Sequence, residues 1–455
     1  MKKIIIVGGG SAAWASAYQI LRSESVDEIQ VIHSGTVPII GTGEGATGSL
    51  DDIILKGDHK EFLEKTNSTV KLGILFENWQ GNGTKFNKYV DAWHYDAIRG
   101  GAGKDIDVMY KILDEGIDTD DVSINAFLMK HELHDFEEVR RHTFHFDGKN
   151  VGQFFKDRCL ASNKVTSIID TITNVEVING KIISLHGEKD LYTADFYIDS
   201  TGFRRLFTDF VDHEFEPYEE WLDINAAVPF LLPAKKQAYT VSRAMKNGWM
   251  WEVPKTNNLG SGYNYSTKHI SSDEVIAEAQ EYLGHDINPI KVVEYTSGCY
   301  KKTAGPNYAF IGLSAGFIEP LEATALHCSI YSAEELIKYF KGEKTLDQYN
   351  DYVYEMVTDF RDFTILHYRM ATRNDTKFWQ DQKKKPIPEK LQEQIKLFEN
   401  GSLECLYNTT HIYFMFQTSV GFNFIKKPNV FDYDKTIEIP TLDAINRIKQ
   451  KHNVE

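Results

Sequence analysis

Cysteine is scarce: Cys159, Cys299, Cys328 and Cys405 are the four in 455 residues, and no two form a CxxC pair. That spacing suggests neither a zinc module nor a disulfide framework, so no metal is expected. Four scattered thiols suit a reducing compartment. Long apolar runs are also missing. No segment approaches the roughly 18 apolar residues of a membrane span. The opening "MKKIIIVGGG" has only four apolar residues before its glycines, too few for a signal peptide. Positive charge is the third deficit. Fifty Lys and Arg stand against 66 Asp and Glu, a net charge of −16, which argues against a nucleic-acid partner. With 42% apolar residues and no internal repeat, the expectation is a soluble, cytoplasmic globular protein with a sizeable core.

What is present begins at once. Residues 3–21, "KIIIVGGGSAAWASAYQIL", read as a buried strand, a glycine turn and a helix, and "EIQVIH" (28–33) reads as a second strand. In that context GxGxx(G/A) signals dinucleotide binding, with the pyrophosphate at the helix N-terminus. Gly8 and Gly10 take the first two positions, Ser11 and Ala12 follow, and Ala13 stands third, where a small residue permits close helix–sheet packing. The acid that usually ends the second strand is replaced by His33 and Ser34, either of which can hydrogen-bond a ribose.

The middle of the chain is strand-rich. Asn179-Gly180 between two β-branched runs predicts a hairpin, "LYTADFYIDSTGFRRLF" (191–207) a strand ending in a glycine turn, and "YAFIGL" (308–313) a further buried strand. From about 330 the texture turns helical, in "SAEELIKYFKGE", "LDQYNDYVYEMVTDFRDFTILHYRM" and "PEKLQEQIKLFENG". An α/β fold is expected, a GxGxxG-type domain of the FAD-binding kind with a mostly helical C-terminal module. The expected division is a catalytic domain over 1–330 and a substrate-covering module over 331–455.

Four stretches invite chemistry. "GTGEGATGSL" (41–50) is a glycine-rich loop, which alone reads as a flexible surface loop. "STVKLGILFENW" (68–79) alternates as a half-buried strand with Lys71 opposite the apolar set, and a lone lysine is ordinarily a solvated charge. In "NGWMWEVP" (247–254), Trp249 and Trp251 share one face of a strand, as a pair of core aromatics also would. "GFIEPLEATALHCS" (316–329) sets Glu319 and Glu322 around a proline ahead of a helix, as helix capping alone would explain.

Taken in order, "GGGSAAWASA", "GTGEGAT", "TVKLGILFENW", "FHFD" (144–147), "ADFYIDSTGFRRL", "GWMWEVP" and "GFIEPLEAT" resemble the flavin-dependent tryptophan halogenase family over most of residues 1–400. Trp-x-Trp-x-(Ile/Val)-Pro is the specific part, because it separates halogenases from related flavin monooxygenases. The resemblance implies that reduced FAD, oxygen and a halide give hypohalous acid, which travels to Lys71. The ammonium group there holds it, or forms a haloamine, beside an electron-rich arene. It implies that Glu322 stabilises the cationic ring and helps remove its proton. Trp249 and Trp251 keep organic substrate from the flavin, and the backbone of Thr324 and Ala325 binds the halide. It further assigns Gly43, Glu44 and Ala46, with Gly312 and Phe317, to the cofactor. No second dinucleotide fingerprint is visible, so reduced FAD is expected from a separate NAD(P)H flavin reductase. A homo-oligomer is compatible with the sequence.

Two departures shape the expectation. Ala323 replaces a common serine and Ala325 stands where glycine is frequent, so chloride, bromide and iodide all stay open. The lid over free tryptophan in tryptophan-specific members finds no counterpart in "YNTTHIYFMFQTSVGFN" (407–423), so the expected substrate is an indole, phenol or similar activated arene. Two alternatives stand beside this reading: a flavin-dependent aromatic monooxygenase, and a flavin-binding module that has lost catalysis.

Overall fold

The computed structural model describes residues 2–35, 42–89, 104–139, 141–402, 404–408, 415, 418–419, 421–422, 424–425, 433–439 and 441–454, with 87–89 and 104–106 described by backbone alone. The chain divides into two compact units. The first comprises Met1–Ser68, Phe146–Asn225 and Val293–Arg361; the second comprises Thr69–His145, Ala226–Val292 and Asp362–Glu455.

In the first unit the strand Lys3–Val7 is buried from Ile4 onward, the continuous apolar run of a strand covered on both faces. It pairs in parallel with Glu28–His33 on one side and Phe196–Asp199 on the other. The full order is Ala304–Gly305, Tyr308–Phe310, Phe196–Asp199, Lys3–Val7, Glu28–His33, Val165–Ile169, parallel except for the first hairpin. The helix Ser11–Ser23 carries Ala13, Trp14, Ala17 and Ile20 on its buried face. The predicted hairpin forms as Ile172–Ile178 and Lys181–Gly187, with Asn179 and Gly180 at φ 51° and 73°, the left-handed pair of a type I′ turn.

Two expected strands are shorter than their sequence runs. The 191–207 stretch yields Leu191–Tyr192 and Phe196–Asp199 in different sheets, because Thr193–Asp195 leaves one sheet for the other. "YAFIGL" contributes only Tyr308–Phe310, and Gly312 then turns the chain at φ 75°.

The second unit is built on antiparallel pairing. Its sheet runs Ala226–Leu232, Leu259–Tyr265, Gly248–Pro254, Thr240–Met245, Gly73–Glu77, Lys85–Tyr89, with a single parallel contact between Thr240–Met245 and Gly73–Glu77. The helix Ser272–Leu283 starts on a Ser271/Glu274 capping box and packs Val275 and Ala279 among Val228, Phe230, Met250 and Tyr263. The expected helical character of the C-terminal part is present in Thr324–Phe340, Leu346–Met370, Lys377–Gln382, Glu389–Glu399 and Leu442–His452. Among the described residues no helix is long and apolar enough to cross a membrane.

Candidate active site

The glycine turn sits at the carboxyl ends of the parallel strands, where open α/β sheets bind ligands. Gly8 lies at φ +130°, and a Cβ there would come within 2.1 Å of the Ser200 carbonyl oxygen. Only glycine lets the two strand ends meet this closely. Beyond it, Gly10 precedes the helix Ser11–Ser23, which has no side-chain cap and no acidic residue in its first turn. A Cβ on Gly10 would meet nothing within 4 Å, so the chain is open at the residue that precedes the helix. Gly312 packs its turn against the Ala12 methyl, where a Cβ would stand 3.0 Å away.

His33 lies beside Gly9, edge-on to Trp14, with Nε2 3.0 Å from Ser167 Oγ and Nδ1 3.4 Å from the Ser34 carbonyl. Burial, with the nearby Lys156 charge, moves its pKa below the ordinary value against the pull of the Ser34 carbonyl. An imidazole whose protonation is disfavoured thus stands where the motif usually carries an acid.

Asp199, which the sequence did not single out, ends the neighbouring strand. Its carboxylate accepts from the amides of Thr201 and Phe207 and the hydroxyls of Thr201 and Ser314. Burial pushes its pKa up while those donors oppose.

The "GTGEGATG" loop is not a loose surface loop. Ala46 is buried, and Ser49 and Leu50 behind it are fully enclosed. Gly43 takes φ 83°, and Glu44–Gly45 is a short extended piece; Gly41 lies outside the described residues.

The acidic segment forms a short 3-10 turn, Pro320–Glu322. Ala323 follows at φ 55° and the helix Thr324–Phe340 starts without a side-chain cap or a first-turn acid. Both carboxylates precede the helix and are buried, Glu319 at 1% and Glu322 at 7% exposure. They are therefore not the solvated first-turn acids of ordinary capping. Gly312, Phe317, Thr324 and Ala325 line one pocket with Ala315, Ile318 and Cys328. Residues expected at the cofactor and at the halide thus come together in the first unit.

In the second unit the expected strand 68–79 is two strands broken at Leu72, whose amide donates to the Ala238 carbonyl. Gly73–Phe76 is buried on both faces, so the half-buried alternation does not hold. Covering by both neighbouring layers removes the solvent face. Lys71 is 3% exposed and not a solvated charge. It pairs across the ladder with Thr143, and Thr69 pairs with His145.

That imidazole, in a motif noted but given no role, bonds Thr240 Oγ1 at 2.9 Å and Thr69 Oγ1 at 3.3 Å. Burial, with the Lys71 charge, holds its pKa well below the usual histidine range. Thr69 Oγ1 also donates to the Pro254 carbonyl at 2.7 Å, tying the lysine strand to the end of the tryptophan strand. Trp249 and Trp251 do share a face, with ring centroids 6.3 Å apart. Their neighbour explains the pose: Trp251 lies over Gly262, where any Cβ would come within 2.1 Å of the indole. Of the 407–423 stretch, residues 409–414, 416–417, 420 and 423 lie outside the described residues.

The tryptophan halogenase family model matches residues 3–422. This chain belongs to the tryptophan halogenase family. It is therefore a flavin-dependent, oxidoreductase-type enzyme. Among its curated relatives, the 7-chloro-L-tryptophan 6-halogenase KtzR of Kutzneria sp. (strain 744) is 27% identical, over 87% of this chain and 84% of the relative. The tryptophan 7-halogenase RebH of Lentzea aerocolonigenes is 26% identical, over 88% and 82%. The fold is shared with a flavin-dependent halogenase from Xanthomonas campestris, at TM-score 0.85 and 22% identity over 99% of this chain and 95% of that one. The family implies FAD, and the residues fit it. The uncapped start of the helix Ser11–Ser23, following Gly10 where a Cβ would meet nothing within 4 Å, is what a pyrophosphate requires.

Proposed function

We propose that this family member halogenates an electron-rich aromatic substrate, indole- or phenol-like, by electrophilic substitution. The named relatives act on tryptophan or chlorotryptophan, so the indole ring is the common reactive group to carry over. Gly8, Gly10, Ser11, Ala12 and Ala13 would hold the FAD pyrophosphate, with His33 and Ser34 at the ribose. Gly43, Glu44, Ala46, Gly312 and Phe317 would line the rest of the cofactor. When bound and reduced, FAD supplies the two electrons with which oxygen converts a halide to hypohalous acid and water. Thr324 and Ala325 offer backbone N–H groups at the start of a 17-residue helix, an anion site built without a metal. Trp249 and Trp251 keep organic substrate away from the cofactor.

Lys71 holds the electrophile, by hydrogen bonding hypohalous acid or as a haloamine, and so converts a diffusing oxidant into a positioned one. Glu322 stabilises the positive charge that develops on the ring and accepts its proton. The burial of Lys71 carries this reading: at 3% exposure, on a strand tied through Thr69 to the end of the tryptophan strand, its ammonium group is held in place away from bulk water. Reduced FAD comes from a separate NAD(P)H flavin reductase.

The test supplies chemically reduced FAD, oxygen, each of chloride, bromide and iodide, and a panel of indoles, phenols and tryptophan. Products are read by isotope pattern in mass spectrometry. Lys71→Ala is expected to make no halogenated product while still binding FAD. Normal halogenation by that variant would falsify the assigned mechanism. Hydroxylated product without halide would point instead to the monooxygenase chemistry.

A further inference from the structure

The helix that opens with Thr324 carries a histidine one turn on. His327 Nδ1 is hydrogen-bonded to Thr47 Oγ1 at 2.9 Å, and Thr47 Oγ1 is also 2.9 Å from Ser49 Oγ. The half-buried ring packs against Tyr331 and Phe360, at centroid distances of 4.7 and 5.0 Å. Burial lowers its pKa to about 4, so the imidazole is neutral near pH 7 and does not gain a charge that would break its hydrogen bond.

Thr47 closes the glycine-rich loop whose other end is held separately. Glu44 lies against Gly148, the first residue of the helix Gly148–Leu160, so closely that a Cβ there would come within 2.3 Å of Glu44 Oε1. Between the two ties sits buried Ala46. One end of the loop is thus set by the helix Gly148–Leu160 and the other by the helix that begins at Thr324. His327 lies three residues beyond Thr324, a separation that places both on one helix face.

We propose that His327 is a positioning residue for halogenation. Through Thr47 it sets the distance between the cofactor loop at Glu44–Ala46 and the halide floor at Thr324 and Ala325. The inference rests on the functional reading above. The hydrogen bond ties the loop to the helix, so its loss lets oxidant form without a halide in place. Reduced FAD and oxygen then give oxidised FAD and hydrogen peroxide.

The experiment measures halide KM, kcat and the ratio of halogenated product to hydrogen peroxide, with bromide and the best substrate of the panel. His327→Ala is expected to raise the bromide KM about tenfold and move most turnover to peroxide, a separation of KM from kcat that general unfolding would not give. His327→Asn, whose amide reaches the Nδ1 position, is expected to recover to within about threefold of the original chain. His327→Gln, whose amide reaches the Nε2 position, is not. Thr47→Val removes the same bond together with the one to Ser49, so it should show at least the His327→Ala defect, and adding His327→Ala to it should cause no further loss. Multiplicative losses, or equal behaviour of Asn and Gln, overturn the proposal. If the original chain makes no halogenated product, the functional reading fails first; if it does and His327→Ala matches it, only this inference fails.

Discussion

Lys71 and Gly8 show how much a single residue's meaning depends on what surrounds it. A lysine between apolar neighbours on a strand reads as a solvated charge, yet this one is 3% exposed beside a neutral histidine. Nothing in the local pattern announces that, because the second covering layer comes from residues far along the chain. Gly8 is the opposite case. Its place in a glycine turn between strand and helix was legible from spacing alone, and the structure adds why glycine is needed there, the Ser200 carbonyl oxygen 2.1 Å from where a Cβ would be. Gly8→Ala is therefore expected to cost about 3 kcal/mol of stability, combining an unfavourable φ with a steric overlap. Chemical denaturation measures that cost, and titration with FAD should show weakened binding.

At the scale of elements, the tryptophan strand is positioned by an absence. Trp251 can lie flat on the adjacent strand because Gly262 has no side chain. Gly262→Ala must displace the indole, since the facing strand cannot yield; overpacking of this kind costs about 1–3 kcal/mol. A lower melting temperature and a shifted tryptophan emission are the expected signs. If Trp251 shields the cofactor, the same variant also releases more peroxide per flavin oxidised. The shared face of Trp249 and Trp251 was readable from their spacing of two. Gly262, eleven residues from Trp251 across a hairpin, was not, because register rather than sequence separation brings it underneath.

For the chain as a whole, long-range ties hold the C-terminal helix in the second unit. Leu442–His452 buries Ala444, Ile445 and Ile448 against Leu72, Phe127 and Leu128. At its end Lys451 and His452 both engage Asp135. The hydrogen bond from Lys451, with that from His452, lowers the Asp135 pKa to about 2. A carboxylate whose folded pKa is depressed contributes stability above its unfolded value, near 3.8, and loses it as pH falls through about 2. Hydrogen exchange of residues 442–452, corrected for intrinsic rate, should accelerate between pH 4 and pH 2. Asp135→Asn should remove that step and leave the helix less protected at neutral pH.

By itself the sequence determined the α/β class, the glycine fingerprint, the Asn179-Gly180 hairpin, the helical C-terminal part and the family resemblance that the comparisons bear out. Each depends on short-range periodicity or on a motif whose residues lie close together. Tertiary structure alone decided that Lys71 and Glu322 are buried, that residues 68–79 break into two strands, and that a histidine ties the glycine-rich loop to the helix beginning at Thr324. Those outcomes depend on which distant segments cover a given face, and burial and hydrogen-bond pairing are properties of the packed chain, not of any window along it.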